Sequence, residues 1–220
     1  MRKIPVSELV TKKRDKIKHH HLYKKDSIYQ KKSYICKLKI KDMDTIQIKD
    51  LKFKPFIEED ILESTIAVLA EKINEDYADK EILFVGILNG VFMFAAELFK
   101  HITVPAHISF VKVSSYQGTD TTGNVRQLIG LNENIKEKNI ILLEDIVDTG
   151  ITIEEIYNDF LKKEPASIEV CTLLFKKEKY TKNIPIKYVG FSIPNAFVLG
   201  YGLDYDGYGR NLPKIYQLDK

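Results

Sequence analysis

The sequence predicts an α/β fold in which helices flank a mostly parallel, twisted sheet, and two observations support this prediction. Segments of strand character alternate along the chain with segments whose apolar residues recur at helical spacing. The run Ile82–Leu88 is short and almost entirely apolar, as is typical of a strand buried on both faces. The chain has 220 residues, 44% of them hydrophobic, but no apolar run of transmembrane length, so we expect no membrane-spanning segment.

The predicted elements follow one another from residue 57 onward. Acidic residues occupy the first turn of the first helix, where the helix dipole favours them, and Pro165 ends the third. The polar stretch over residues 114–124 is typical of a mobile loop. In order, we predict a helix over 57–77, a strand Ile82–Leu88, a helix over 91–100, strands over 106–113, 125–131 and 139–143, a helix after 150, and strands over 168–175, 188–192 and 197–201.

Two of these helices show an apolar face that we expect to pack on the sheet. On the first helix the positions are Ile61, Leu62, Thr65, Val68, Leu69 and Ile73. On the helix after residue 150 they are Ile153, Ile156, Tyr157, Phe160 and Leu161.

Charge divides the chain into two unlike parts. Residues 1–42 contain 14 Lys or Arg and 4 Asp or Glu, whereas residues 43–220 contain 20 and 27, which makes the balances +10 and −7. We therefore predict a basic N-terminal extension over 1–42, disordered or loosely packed, and a domain over 43–220. The extension could meet nucleic acid or a membrane surface, but Met43 is an alternative chain start that would remove it from the native protein.

The two cysteines, Cys36 and Cys171, cannot build a disulfide framework, which favours a reducing, cytoplasmic setting. The N-terminal segment also lacks the continuous apolar stretch of a secretory signal. The acidic charge of residues 43–220 argues against nucleic acid as a partner of that domain.

Three carboxylates crowd the end of the predicted strand at residues 139–143. Glu144 and Asp145 follow the apolar residues directly, and Asp148 comes three positions later. Such crowding costs stability unless a cation or sugar hydroxyls compensate for it. Residues 149–152, Thr-Gly-Ile-Thr, then open a helix whose free N–H groups suit a phosphate. The pattern indicates a site for a phosphorylated sugar.

The apolar strand, acidic pair and Asp-Thr-Gly-x-Thr turn resemble the signature of the type I phosphoribosyltransferases. The resemblance implies the fold of that family, with a small hood that carries the base pocket, and phosphoribosyl pyrophosphate as a substrate. In the family the turn binds the 5-phosphate and the acidic pair meets the ribose hydroxyls. The residues so assigned are Glu144, Asp145, Asp148, Thr149, Gly150, Ile151 and Thr152.

Further segments, between about residues 46 and 218, resemble the hypoxanthine-guanine phosphoribosyltransferases. By analogy, a non-proline cis peptide joins Leu88 to Asn89 and turns backbone N–H groups toward the pyrophosphate. Many relatives carry Lys at the position of Asn89, so backbone donors must suffice here. The residues implied for pyrophosphate, including a Ser-Tyr pair on the flexible loop, are Leu88, Asn89, Gly90, Ser115, Tyr116 and Arg210.

The same resemblance implies a purine site. Lys176 is the counterpart of a lysine that donates to the exocyclic O6, and a pure donor accepts a 6-oxopurine but rejects the amino group of adenine. The resemblance also implies that Phe197 stacks on the base and that the backbone of Val198 reads its edge. The purine residues are Lys176, Phe197, Val198 and Asp204, and the residues implied for Mg²⁺ are Glu144, Asp145 and Asp204.

We therefore expect an enzyme of purine salvage that transfers 5-phosphoribosyl to N9 of hypoxanthine or guanine, with Mg²⁺ as cofactor and Asp148 as general base. The resemblance also implies a homo-oligomer, dimer or tetramer. Two alternatives stay open: a transferase that prefers xanthine or a pyrimidine, and a regulator of the same fold that binds nucleic acid. The sequence does not indicate which of hypoxanthine, guanine and xanthine the enzyme prefers.

Overall fold

The computed structural model describes residues 45–114, 126–131 and 133–219. The predicted extension over residues 1–42 lies outside them, so its boundary and its properties stay predictions. No helix in this described part is long and apolar enough to cross a membrane. Its elements are β1 (Ile46–Ile48), β2 (Leu51–Ile57), α1 (Glu59–Asp76), β3 (Ile82–Leu88), α2 (Phe92–Lys100), β4 (Ala106–Ser114), β5 (Arg126–Ile129), β6 (Asn139–Val147), α3 (Ile151–Leu161), β7 (Ser167–Phe175), β8 (Tyr188–Ser192), β9 (Val198–Leu199) and β10 (Ile215–Leu218).

The larger sheet has six strands in the order β5-β4-β3-β6-β7-β8. Its pairs from β4 to β8 are parallel, and only the edge strand β5 runs antiparallel to its neighbour. The prediction of a mostly parallel sheet is confirmed. Because parallel strands end at one edge, the residues after β3, β6 and β7 meet there, and this edge is where open α/β sheets bind ligands.

Strand β3 lies at the centre of the core because both of its faces are covered. Ile82 and Phe84 point into the cluster that contains the buried residues of α1 and α2. Leu83 and Val85 point the other way, into the cluster that contains the buried residues of α3. Alternate side chains of a strand face opposite sides of the sheet, so a run of this kind needs apolar residues at every position.

The predicted apolar faces of the helices are partly wrong. Ile61 and Val68 of α1 are 49% and 64% exposed, and Leu161 of α3 is 49% exposed. Two adjacent apolar stripes run along α1, and the sheet covers only one of them. The residues of that stripe are Leu62, Ile66, Leu69, Ala70 and Ile73.

The smaller sheet has four antiparallel strands in the order β1-β2-β10-β9 and corresponds to the expected hood. It joins the start of the described chain to its end, and its strands β1, β2 and β10 were not predicted. The strand predicted over residues 197–201 is shorter, because Gly200 adopts a φ of +98° and bridges back to Leu203. The smaller sheet has a small core of its own, which consists of Phe53, Leu199 and Tyr216.

Candidate active site

The acidic pair lies inside β6 rather than in a turn after it. The strand predicted to end at residue 143 continues to Val147, because it keeps pairing with β7: Glu144 lies opposite Thr172 and Val147 opposite Phe175. Both carboxylates therefore extend from the carboxyl end of a central strand. Pairing with β7 holds their backbone in place, and this places the two side chains firmly at the ligand-binding edge of the sheet.

Neither carboxylate of this pair is compensated by a strong partner. Burial, and then the charge of Asp145, raises the pKa of Glu144 well above its ordinary value. Burial raises the pKa of Asp145 to about 6, although the N–H of Ile146, at 2.8 Å, and the charge of Arg210 act in the opposite direction. Glu144 Oε2 is buried and accepts no hydrogen bond from the described residues. Such oxygens suit a cation or sugar hydroxyls.

The loop after β3 packs directly against Asp145. The peptide bond between Leu88 and Asn89 is cis, as the resemblance implies. A Cβ on Gly90 would overlap the carboxylate of Asp145, and one on Gly202, whose φ is +100°, would overlap the carbonyl oxygen of Gly90. Glycine at both positions therefore lets three chain segments meet without a side chain between them.

Arg210 and Asp204 complete this corner of the site. The guanidinium of Arg210 contacts Asp204 Oδ1 at 2.7 Å and donates to the carbonyl oxygen of Gly202 at 2.7 Å. The other oxygen of Asp204 accepts the N–H of Gly207 at 2.6 Å. The structure thus brings Gly90, Asp145, Asp204 and Arg210 together, although about 120 residues separate the first from the last.

Asp148 follows β6 and meets two lysines. Lys176 Nζ donates to Asp148 Oδ2 at 2.8 Å, and Lys179 Nζ lies 3.4 Å from Oδ1. Burial alone would raise the pKa of Asp148, but these two cations outweigh it and hold the pKa below its usual value. Lys176 itself is only 8% exposed. Asp148 is therefore a carboxylate that stays charged at neutral pH, beside a nearly buried ammonium group.

The predicted phosphate turn lies at the start of α3. Gly150 takes the left-handed conformation, with a φ of +85°, and the helix begins at Ile151. Thr149 is exposed, and Thr152 is partly exposed within the first helical turn. The first N–H groups of a helix have no acceptor within the helix, so this turn can offer donors to an anion.

An aromatic cluster supports the predicted purine residues. Phe197 is 42% exposed, and its ring centroid lies 5.9 Å from that of Phe53 and 5.8 Å from that of Tyr205. The neighbouring Val198 is buried in β9. Phe197 is therefore held by aromatic neighbours while part of its surface remains open, which an ordinary core residue would not show.

Two predicted residues, Ser115 and Tyr116, lie outside the described residues. Sequence reasoning missed Lys179, Gly202 and the aromatic neighbours of Phe197. The resemblance singled out Lys176, but the sequence gave no sign that Lys179 also contacts Asp148. Within residues 45–114, 126–131 and 133–219, no group of three or more His, Cys, Asp or Glu side chains is arranged to hold a metal.

Comparison with known proteins identifies the class. A family model described as "Phosphoribosyl transferase domain" matches residues 58–206, which is more than half of the chain. The chain therefore belongs to the phosphoribosyl transferase family.

Similar proteins include hypoxanthine and hypoxanthine-guanine phosphoribosyltransferases. The hypoxanthine-guanine phosphoribosyltransferase of Staphylococcus epidermidis is 43% identical over 168 residues, which cover 76% of this chain and 93% of the relative. The hypoxanthine phosphoribosyltransferase of Salmonella typhimurium is 40% identical over 165 residues, 72% of this chain and 93% of its own. A crystal structure of a hypoxanthine phosphoribosyltransferase from Staphylococcus aureus, 38% identical, superposes with a TM-score of 0.72 over 76% of this chain and 91% of that one. These likenesses confirm the resemblance to the hypoxanthine-guanine enzymes and the predicted fold class.

Proposed function

We propose that this protein transfers the 5-phosphoribosyl group of phosphoribosyl pyrophosphate to N9 of hypoxanthine or guanine, in a reaction of purine salvage that depends on Mg²⁺. The products are IMP or GMP and pyrophosphate. Two of the relatives named above are called hypoxanthine phosphoribosyltransferase and hypoxanthine-guanine phosphoribosyltransferase, which supports this reaction. The observation that carries the proposal to this chain is the contact of Lys176 with Asp148 at 2.8 Å.

That contact links a residue proposed to bind the ribose phosphate with a residue proposed to bind the purine. Asp148 belongs to the turn proposed for the ribose phosphate, and Lys176, which directly follows the neighbouring strand β7, is proposed to bind the purine. An ammonium group has three hydrogen atoms to donate, so Lys176 can keep Asp148 while it donates to the O6 of a 6-oxopurine. A charged Asp148 can accept the proton that the base gives up from N7 or N9, which makes it the candidate general base.

The carboxylates of Glu144, Asp145 and Asp204 suit Mg²⁺ and the hydroxyls of the sugar. Glu144 and Asp145 present oxygen ligands, and Glu144 Oε2 is buried without a hydrogen-bond partner among the described residues. Asp204 presents a third carboxylate, whose oxygens contact Arg210 and the N–H of Gly207. Mg²⁺ usually takes only one or two protein carboxylates and completes its shell with phosphates and water, so it does not need a cluster of three protein ligands. When bound, the ion would offset the negative charge of the pyrophosphate.

The remaining work of the protein is positioning and electrostatics. The sugar carbon gains oxocarbenium character as pyrophosphate leaves, and the carboxylates on β6 lie where the ribose is proposed to bind. Arg210 adds a planar donor for the pyrophosphate. Phe197 offers its exposed ring face for stacking, and the Val198 backbone can read the base edge.

The direct test measures pyrophosphate release from purified protein, Mg²⁺ and phosphoribosyl pyrophosphate, with each base added in turn. We expect release with hypoxanthine and guanine, and none with adenine or uracil. Release with xanthine, compared with release with hypoxanthine and guanine, tests the alternative of a xanthine-preferring transferase. Absence of release with every base would refute the transferase function.

A single variant tests the general base. Asp148→Asn keeps the shape of the side chain but loses its charge, so we expect kcat to fall roughly 100-fold while the affinity for phosphoribosyl pyrophosphate stays within threefold. Asp159→Asn, on the exposed end of α3, serves as the control. Unchanged turnover in Asp148→Asn would remove this residue from the mechanism.

The proposal includes a cytoplasmic setting and a homo-oligomer. The described part of the chain exposes Ile61 and Val68 on α1 and Phe92 on α2, and a subunit interface would cover such residues. Light scattering coupled to size-exclusion chromatography decides between monomer, dimer and tetramer. A monomer at all concentrations would refute the oligomer.

A further inference from the structure

The segment that follows Lys176 lies against the turn that starts α3. The backbone N–H of Thr181 donates to the carbonyl oxygen of Thr149 at 3.4 Å, and its hydroxyl lies 3.5 Å from the same atom. A Cβ on Gly150 would overlap the ring of Tyr180. The segment therefore packs on the backbone that is proposed to bind the 5-phosphate.

Lys182 is the cation that this segment places on the turn. Its Cγ would lie 2.9 Å from a Cβ built on Gly150, so its stem passes over the glycine. Its Nζ donates to Glu154 Oε2 at 2.6 Å, and only 22% of its side chain is exposed. Glu154 in turn lies in the first turn of α3, where its backbone N–H bonds to the carbonyl oxygen of Gly150 at 2.9 Å. A cation and a carboxylate are thus paired at the phosphate turn.

The carboxylates at this turn create an electrostatic problem for phosphate binding. Glu154 and Glu155 are adjacent, and Glu155 Oε2 is buried with no hydrogen-bond partner in the described part of the chain. Burial, and then the charge of Glu154, raises the pKa of Glu155, whereas Lys182 acts in the opposite direction. A phosphate with two negative charges is repelled by carboxylates near the helix start, so a cation beside them favours binding.

We propose that Lys182 is a positioning residue for the 5-phosphate, because it neutralises Glu154 and so keeps the start of α3 receptive to a phosphate dianion. The inference rests on the proposed function and deepens it. It holds that a residue outside the Asp-Thr-Gly-x-Thr turn balances the negative charge at the phosphate site. Lys182 acts through Glu154 and contacts none of the reacting atoms.

The test compares Lys182→Met, Glu154→Gln and the double variant. We expect the KM for phosphoribosyl pyrophosphate to rise roughly fivefold in Lys182→Met, the size typical of one charge lost near an anion at a partly exposed site. The KM for the purine should stay within twofold. Glu154→Gln should lower the KM for phosphoribosyl pyrophosphate or leave it unchanged, and the double variant should return it to within about twofold of the wild type.

The matched control is Lys163→Met, which removes the same charge from a lysine just beyond the far end of α3, where it pairs with Asp159 at 3.0 Å. It should leave both KM values unchanged. Lys182→Met and Glu154→Gln break the same ion pair, so a merely structural role would change the KM for phosphoribosyl pyrophosphate in the same direction in both. That outcome would overturn the proposal.

Calorimetry with ribose 5-phosphate, and with ribose as the phosphate-free control, tests the inference without turnover. We expect Lys182→Met to bind ribose 5-phosphate roughly fivefold more weakly than the wild type, with no difference for ribose. Equal affinities for ribose 5-phosphate would overturn the inference. A wild type that binds ribose 5-phosphate better than Lys182→Met but forms no nucleotide would instead refute the transferase function alone.

Discussion

Asp145 is expected to destabilise the ligand-free protein at neutral pH. Its burial beside Gly90 raises its pKa from 3.8 to about 6. The folded state therefore holds this proton at pH values where the unfolded chain has already released it, and stability falls as the pH rises from about 4 to 6. A shift of roughly two units corresponds to about 3 kcal/mol, which is an upper value for the stability lost by pH 7.

The perturbation that tests this reasoning is Asp145→Asn, which keeps the shape and removes the charge. We expect the ligand-free variant to be more stable than the wild type at pH 7.5, by about 1 to 3 kcal/mol, and equally stable near pH 4, where Asp145 is protonated. The assay is urea unfolding in EDTA without substrate at pH 4, 5, 6 and 7.5. The slope of the unfolding free energy against urea concentration is compared between variants.

A surface variant supplies the baseline for this experiment. Asp159 is 49% exposed and paired with Lys163, so Asp159→Asn should change stability by less than about 0.5 kcal/mol at every pH. The reasoning is refuted if Asp145→Asn is less stable than the wild type at pH 7.5, or if its gain does not vary with pH. The gain should come with loss of activity, because the same carboxylate is proposed to hold the ribose and Mg²⁺.

Three further outcomes follow from the contacts. Lys176→Ala should lower kcat/KM for hypoxanthine roughly 10- to 100-fold and leave the KM for phosphoribosyl pyrophosphate within threefold; the reverse pattern in steady-state kinetics would contradict the base-pocket assignment. Gly90→Ala should reduce turnover roughly 100-fold, because its Cβ overlaps Asp145, and near-normal turnover would show that this close approach does not matter. Tyr188→Phe removes the 2.7 Å hydrogen bond to Asp76 and should lower the free energy of unfolding by about 1.5 kcal/mol in urea titrations, without changing either KM; no loss of stability would mean that this buried hydroxyl contributes little.

The carboxylates of the site fall into two groups with opposite pKa shifts, and the two groups suit different parts of the proposed substrates. Glu144 and Asp145 carry raised pKa values at one corner, whereas Asp148 is held charged by Lys176 and Lys179. The first pair is suited to bind a cation and hydroxyls, and the second group to exchange a proton with a base. Environments that push neighbouring carboxylates in opposite directions commonly separate their roles.

Much of the fold could be predicted because its signals are local. The strand at Ile82–Leu88 and the strand Tyr188–Ser192 have the predicted bounds, since their apolar runs end at polar residues. The second helix was predicted to within one residue of Phe92–Lys100. The strand β6 was cut short at residue 143, because two adjacent acids look like the end of a buried strand until pairing with β7 is known.

The hood could not be predicted strand by strand. Its strand β10 pairs with β2, which lies about 160 residues earlier. Residues 51–54 of β2 alternate apolar and charged side chains, but Pro55 interrupts the alternation and the four residues of β10 show none. The resemblance pointed to Phe197 as the residue proposed to stack on the base, but its contact with Phe53 was not predicted, because Phe53 belongs to the distant β2. Cross-strand contacts of this kind depend on register, and register is set by the whole sheet.

The sequence by itself indicated a site for a phosphorylated sugar, because an acidic pair, a Thr-Gly-x-Thr turn and a buried strand are local features whose spacing limits what they can bind. The resemblance to a known family then implied phosphoribosyl transfer. Only the tertiary structure decided which charges meet. It placed Lys176 and Lys179 on Asp148, Arg210 on Asp204, and Lys182 on Glu154. These partners approach through packing of the parallel strands and of the loops at their carboxyl ends, and in the sequence Lys179 and Lys182 look like any other surface cations.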